Sequence, residues 1–199
     1  MLWSRLIAGA ARGCFPKRDD GSEIVEFAVT LPLLLFFVVG IYDYGALYTL
    51  RHRLTSAVQE GSRLASHQPM RDLDTVAGCG APASVCQVRD LVVSRLAASG
   101  VNSCGLASAP GALSASLTWT FTASGCAQTL TLTVEKGFYY DTPLQTPFPA
   151  FPYRIQATKI TLTYPFQWVF GGVLAFFSQG GPGPTTSLLN VTSVMQNDN

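Results

Sequence analysis

The chain has 199 residues and a net charge of only +1, with 48% apolar residues, 13% charged residues and a mean hydropathy of +0.26. Its length is that of one domain with an anchor or tail, and its composition is too apolar for an ordinary soluble domain, so part of the chain must face lipid or other chains. The near-neutral charge, without a Lys/Arg stripe interleaved with aromatic residues, excludes nucleic acid as a partner.

A basic N-terminal segment precedes an uncharged apolar run at Phe27–Tyr42. As a helix the run would cover roughly 24 Å, and adjacent apolar residues extend it to the ~30 Å of a bilayer core. This predicts one transmembrane helix over residues 22–50, with a buried soluble helix as the alternative. The excess of basic residues ahead of the run predicts a cytoplasmic N-terminus. These residues are Arg5, Arg12, Lys17 and Arg18.

Two residues interrupt or border the apolar run. Pro32 lies inside it, where it removes one backbone hydrogen bond and is expected to kink the membrane helix. Lipid-embedded helices tolerate such a proline better than soluble helices do. Asp43 follows the run near the opposite membrane face, and ordinary solvation at the interface is expected for its carboxylate.

Beyond the apolar run, apolar residues recur at three- and four-residue steps from Leu47 to Ala65. This pattern predicts one long helix from about Ser22 to Ser66, whose part over residues 51–66 is amphipathic. Prolines and glycines over residues 67–82 predict a loop. A second helix is then predicted, with Ser84 as its N-cap and Gly100 at its end.

Three segments alternate apolar residues with Ser or Thr, namely Leu117–Phe121, Leu130–Val134 and Ile160–Tyr164. They predict three half-buried strands, the first two joined in a hairpin and the third ended by Pro165, and residues 187–194 are a candidate last strand. The aromatic and proline-rich residues 138–153 predict an ordered loop. The apolar residues 168–177 are too few to span a bilayer and predict a packed or interfacial segment. The predicted fold class is α+β, with the long N-terminal helix packed on a small antiparallel sheet in residues 67–199.

Five cysteines are present, and Cys14 stands apart from the other four in the basic segment. An even set in an exported segment, without tight Cys-x-x-Cys spacing, indicates two disulfides rather than a metal site. The sequence-local connectivity, one of three, pairs Cys79 with Cys86 and Cys104 with Cys126; rearranged or unpaired thiols remain open. Neither a metal nor a cofactor is predicted.

The segment Gly21–Phe27 (GSEIVEF) follows the basic residues and opens directly into the apolar helix. A general secretory signal would have its cleavage site after the apolar core, whereas here a Gly, and a Glu five residues after it, precede the core. Phe27, the leucines around Pro32 and the segment Gly40–Gly45 complete the pattern. In this order, over about residues 18–66, the chain resembles the TadE-like pseudopilins of the tight-adherence (Tad, or Flp) pilus system.

The resemblance implies that a prepilin peptidase cuts between Gly21 and Ser22, so that residues 1–21 are a leader. It also implies an assembly role for Glu26, next to Phe27: the carboxylate meets the free amine of Ser22 on an adjacent subunit. Snorkelling of Glu26 to the lipid headgroups is the alternative. The implied partners are the prepilin peptidase, other pilins or pseudopilins, the Tad inner-membrane assembly platform and membrane lipid.

The resemblance further implies a minor pseudopilin of the bacterial inner membrane or the pilus, single-pass, with its C-terminal domain outside the cytoplasm. Enzymatic activity is not expected, because His52 and His67 are the only histidines and the carboxylates are scattered. One alternative is a signal-anchored extracytoplasmic binding or adhesion module, which would keep residues 1–21 and contact a ligand through residues 138–153. Another is a core subunit of a type II secretion pseudopilus, in which a proline much further from the cleavage site is expected.

Overall fold

The computed structural model describes residues 20–70, 72–142, 153–169 and 186–198. The chain forms two compact units, Met1–Gly40 and Ile41–Asn199. The first unit contains the beginning of helix α1 (Asp20–His67), and the second contains the rest of α1 and all later elements.

Helix α1 is 48 residues long and matches the predicted single helix to within two residues at either end. It is continuous through Pro32, and the kink expected there stays a prediction. In the second unit α1 buries one stripe of side chains. Its buried apolar members are Leu54, Ala57, Val58 and Ala65. The stripe recurs at three- and four-residue steps, as an amphipathic helix requires.

Helix α2 spans Ala83–Ala98 and begins two residues earlier than predicted. Its N-cap is Pro82, so the assignment of Ser84 as N-cap is wrong; instead, the backbone N–H of Ser84 donates to Asp72 Oδ2 at 2.9 Å. The predicted stop at Gly100 is correct, because this residue has φ +72° and its N–H bonds the carbonyl of Ala97. The Val101 N–H also bonds Leu96 O at 2.8 Å, which completes a Schellman motif.

A short 3₁₀ helix at Leu106–Ser108 leads into a five-stranded antiparallel sheet whose strands lie in chain order. The strands are β1 (Gly111–Ala115), β2 (Thr118–Ala123), β3 (Leu130–Thr142), β4 (Tyr153–Gln167) and β5 (Thr186–Gln196). The predicted hairpin is the β2–β3 pair, in which Trp119 lies opposite Val134. The α+β fold class predicted from the sequence is confirmed.

The sheet departs from the prediction in three places. Strand β1 is not among the predicted strands. The predicted loop is wrong at both ends, because β3 continues to Thr142 and β4 begins at Tyr153; residues 143–152 lie outside the described residues. Pro165 does not end β4, which continues to Gln167. At Pro165 β4 has passed its last pair with β3 and keeps only β5 beside it, and proline is tolerated at such a local edge.

One face of the sheet packs against α2 and the part of α1 that belongs to the second unit, and together they form the core. This face carries Trp119, Phe121, Leu130, Leu132, Val134, Ile160, Leu162 and Val191, all buried. At Gly61 helix α1 lies very close to α2 and β4, because a Cβ built there would lie 2.8 Å from Val92 Cγ2 and 3.5 Å from Ile160 Cδ1. The N- and C-terminal elements also meet, through the Oγ atoms of Ser62 and Ser193 at 2.8 Å.

The other face of the sheet carries a row of threonines aligned across four strands. Thr120 lies opposite Thr133, Thr133 opposite Thr161, and Thr161 opposite Thr192. Hydroxyl contacts link the row at 3.4 Å between Thr120 and Thr133 and at 3.3 Å between Thr161 and Thr192. This polar face explains why the strands read as strict alternations in the sequence.

Candidate functional site

The N-terminal part of α1 presents apolar side chains on every side. From Ile24 to Val38 its large apolar side chains are between 41% and 70% exposed. An 18-residue window of α1 has a mean hydropathy of 2.5 with no part buried, so the helix is long and apolar enough to cross a membrane. A continuous apolar surface of this kind is costly in water and needs lipid or other helices to cover it.

The predicted processing site lies at the beginning of this helix. Gly21 and Ser22 fall in the first turn of α1, their side chains lie outside the described ones, and most of the predicted leader, residues 1–19, lies outside the described residues. A helical glycine costs about 1 kcal/mol relative to alanine, so the backbone at Gly21 is easier to unwind into a protease cleft than its neighbours. The cut between Gly21 and Ser22 stays a prediction.

Glu26 and Phe27, the predicted assembly residues, are both exposed on α1, and Phe27 is among its exposed apolar residues. The backbone carbonyl of Glu26 accepts a hydrogen bond from Thr30 Oγ1 at 2.9 Å. The pairing of Glu26 with a neighbouring subunit stays a prediction.

Asp43 is placed differently from the expectation. Its side chain is only 3% exposed, whereas those of Tyr42 and Tyr44 on either side are 61% and 68% exposed. The reason is helical phase: Asp43 lies seven residues before Leu50 and eleven before Leu54, on the stripe that α1 buries in the second unit. The expectation of ordinary interfacial solvation is therefore wrong.

The four cysteines of the second unit form the two sequence-local disulfides. Cys79 pairs with Cys86 with a Cα–Cα distance of 6.3 Å, and Cys104 pairs with Cys126 with a Cα–Cα distance of 5.1 Å. The first ties the start of α2 to the loop before it, and the second ties the segment after α2 to the β2–β3 connection. A backbone hydrogen bond of 2.9 Å from Gly125 N to Cys104 O supports the second link.

A buried polar cluster around Lys136 was not predicted from the sequence. Lys136 is 1% exposed, and its Nζ donates to Pro69 O at 2.8 Å and to Ser84 Oγ at 2.9 Å. Burial lowers the pKa of Lys136, and the nearby Asp72 carboxylate opposes that shift. One sequence feature could have indicated that Lys136 is buried. It lies two residues after Val134 and four after Leu132, and so continues the alternation of inward-facing side chains on β3.

Arg89 is a second buried cation that the sequence did not single out. Its Nη1 donates to Ala109 O at 3.0 Å, and its Nη2 lies 2.8 Å from Asp90 Oδ1. The guanidinium also stands 5.5 Å from the ring centroid of Phe121. Arg89 therefore joins α2 to the segment before β1 and to the aromatic core on β2.

Both histidines lie exposed on α1. His67 contacts Asp198 at 3.2 Å with both side chains exposed, and His52 is exposed on α1. Within the described ranges no group of three or more His, Cys, Asp or Glu residues could hold a metal ion. Burial raises the pKa of Tyr164, whose hydroxyl donates to Asn102 O at 3.1 Å.

Comparison with known proteins bears on the N-terminal helix alone. No curated protein and no solved structure matches the chain. The family model described as TadE-like protein matches residues 21–63, from the predicted processing site through most of α1. The resemblance to TadE-like proteins predicted from the sequence is therefore confirmed over this segment.

Proposed function

We propose that this chain is a minor pseudopilin of a Tad/Flp-type pilus assembly and secretion apparatus. In this proposal a prepilin peptidase cuts between Gly21 and Ser22, the apolar part of α1 remains as a single membrane anchor, and the second unit stands outside the cytoplasm. The mature chain then assembles with other pilins or pseudopilins on the Tad inner-membrane platform. No catalytic activity is part of the proposal.

The observation that carries the proposal is the exposed apolar helix that lies within the match to TadE-like proteins. The family match begins at Gly21 itself and covers 21–63. The helix exposes apolar side chains on all sides from Ile24 to Val38, as a segment needs when it is surrounded first by lipid and then by neighbouring helices. An anchored enzyme or binding module would need only an apolar surface toward lipid, and not Gly21 and Glu26 at the start of the helix.

Glu26 supplies specificity in the proposed assembly. An exposed carboxylate near the start of a membrane helix is costly to move into lipid unless it is paired. Cleavage creates a new amine on Ser22, four residues before Glu26 in the same chain. In a low-dielectric bundle the amine of one subunit and the carboxylate of the next attract much more strongly than in water, and a wrong stagger leaves both unpaired.

Processing is tested by the intact mass of the protein extracted from membranes of cells with an active pilus system. The wild type should lack residues 1–21 and begin at Ser22. Gly21→Ala should reduce cleavage while membrane insertion is preserved, and Gly21→Leu should abolish cleavage. Gly45→Ala is the matched control and should be processed normally, because Gly45 lies far beyond the cut with nothing within 4 Å of a built Cβ.

Retention of Met1 in the wild type would reject the pseudopilin proposal and favour the signal-anchored binding module. Normal cleavage of Gly21→Leu would equally show that the cut lies elsewhere.

Assembly is tested separately by copurification with pilus components. Glu26→Ala should be cleaved almost normally and yet be depleted from the assembled material. Glu23→Ala is the matched control, because it removes an acidic residue of the same helix end that is not five residues after the cut. Equal recovery of the Glu26→Ala and Glu23→Ala proteins would remove the assembly role of Glu26.

A further inference from the structure

The second unit carries three tyrosines on α1 near the end of the apolar run and a tryptophan that contacts one of them. Tyr42, Tyr44 and Tyr48 stand on α1 and are 61%, 68% and 74% exposed. Trp168 stands just after β4, and its ring lies 6.1 Å from that of Tyr44 in an edge-to-face arrangement. We call these four residues the aromatic collar.

The three tyrosines stand on both sides of the stripe that α1 buries at Asp43 rather than on one side of the helix. At 100° per residue, Tyr44 and Tyr48 fall one turn apart on one side of the helix, and Tyr42 falls on the other. A protein partner that docks on a helix contacts one stripe of it. Exposed aromatic rings on both sides of the buried stripe instead fit a surrounding that is alike on either side of the helix, as a lipid interface is.

Trp168 extends the collar from the helix to the sheet. Besides Tyr44 it contacts Phe166, with ring centroids 5.2 Å apart. The adjacent Val169 is 64% exposed. The end of β4 therefore presents an indole and an apolar side chain beside the tyrosines of α1, and Trp and Tyr are the residues enriched at membrane interfaces because their rings are apolar with one polar atom.

Along α1, apolar, aromatic and cationic residues follow one another in the order in which the layers of a bilayer would meet them. The uncharged run ends at Tyr42, the tyrosines follow, and the exposed Arg51 and Arg53 come next. A groove of about 540 Å³ on this part of α1 is apolar at Ile41 and cationic at Arg53. Hydrocarbon, interface and phosphate follow one another in this order in a phospholipid leaflet.

We propose that the aromatic collar is a second membrane contact, through which the folded unit lies on the headgroup region of the leaflet at the C-terminal end of the membrane span. The inference rests on the proposed anchoring by α1. It adds that the sheet itself touches the bilayer at Trp168, so that the domain is held at a defined height above the membrane instead of swinging freely on the helix.

Tryptophan fluorescence tests this directly, because the chain contains only Trp3, Trp119 and Trp168. The full chain carrying Trp3→Phe is reconstituted alone into phosphatidylcholine vesicles whose acyl chains are brominated either near the headgroup or near the chain ends. Trp119 is buried in the core and is expected to be unquenched. The difference between this protein and the same protein with Trp168→Phe isolates the emission of Trp168 without disturbing the core.

The expected result is that Trp168 emission is lost more strongly with bromine near the headgroup than with bromine near the chain ends. A third protein with Trp3→Phe, Trp168→Phe and Phe36→Trp reports on the anchor itself, and its added indole should be quenched most by the deep bromines. Quenching at position 36 without quenching of Trp168 would overturn the collar and leave the anchor intact. Stronger quenching of Trp168 by bromine near the chain ends than by bromine near the headgroup would also overturn it. Absence of quenching at both positions would reject the anchor.

Discussion

Gly61 is the residue at which a single methyl group should test the packing of α1 on the domain. A Cβ at this position would lie 2.8 Å from Val92 Cγ2, about 0.7 Å inside the 3.5 Å at which carbon atoms make favourable contact. Val92 is fully buried on α2 and β-branched, so its methyl group cannot turn aside easily. The methyl group of an alanine therefore has to displace α2.

Two opposing terms determine the size of the effect. Overpacking of a well-packed core costs about 1–3 kcal/mol, whereas replacing a helical glycine by alanine gains about 1 kcal/mol. Gly61→Ala should thus destabilise the domain by about 0–2 kcal/mol. In a Val92→Ala background the clashing methyl group is gone, and the same change should stabilise the domain by about 1 kcal/mol. The sign of the effect should reverse between the two backgrounds.

The measurement is urea unfolding of the full chain in detergent micelles, followed by the fluorescence of Trp119 in a Trp3→Phe, Trp168→Phe background. Gly45→Ala is the matched control, because it changes a glycine of the same helix with nothing within 4 Å of the built Cβ. Its effect should be the same in both backgrounds. Equal effects of Gly61→Ala with and without Val92→Ala would refute the proposed close contact between α1 and α2.

Two further predictions concern the disulfides and the buried lysine. Replacing Cys104 and Cys126 by serine should lower the free energy of unfolding by about 3 kcal/mol, and replacing Cys79 and Cys86 by about 2 kcal/mol, because the sequence separations closed are 22 and 7 residues; a larger loss from the shorter loop in the urea midpoints would contradict this order. Burial lowers the pKa of Lys136 in the folded protein, whereas in the unfolded protein its amine stays protonated up to about pH 10.5. Between the lowered pKa and pH 10.5 the unfolded state therefore binds more protons than the folded state, and the free energy of unfolding rises with pH. The unfolding free energy of the wild type minus that of Lys136→Met should accordingly increase from the lowered pKa toward pH 10.5 and be flat below it, and a decrease over that range would show that burial does not disfavour the charged amine.

The elements with strong periodicity could be predicted from the sequence. Helix α1 is defined by an uninterrupted apolar run followed by a helical stripe, and β2 by the alternation around Trp119 and Phe121. Strand β1 (GALSA) could not be predicted, because its small side chains have little strand preference and it is ordered by pairing with β2. The prediction that Pro165 ends β4 was wrong for a related reason. A proline is tolerated in β4 once the strand has passed its last pair with β3, and the sequence around Pro165 does not show where that pair lies.

In the candidate site, too, some features could be predicted from the sequence and others could not. The resemblance to TadE-like proteins over residues 21–63 is local and could be identified from the order of residues alone, whereas the roles of Gly21, Ser22, Glu26 and Phe27 stay predictions. The burial of Lys136 and Asp43 could not, because charged residues are ordinarily assigned to the surface and only their phase with buried neighbours indicates otherwise. The contact between Tyr44 and Trp168 joins residues that are far apart in the chain, and nothing in the local pattern of either one indicates it.

The meeting of Ser62 with Ser193 has a consequence for how the chain matures. These residues are 131 positions apart, and β5 is bonded to β4 along its whole length. Among the described elements β5 is synthesised last, so the part of α1 around Ser62 stays without its contact to Ser193 until β5 has been made. Contacts of such long sequence separation form slowly. The sheet is therefore complete only after β5 has been made, and a chain that stops before β5 leaves α1 without its contact to Ser193.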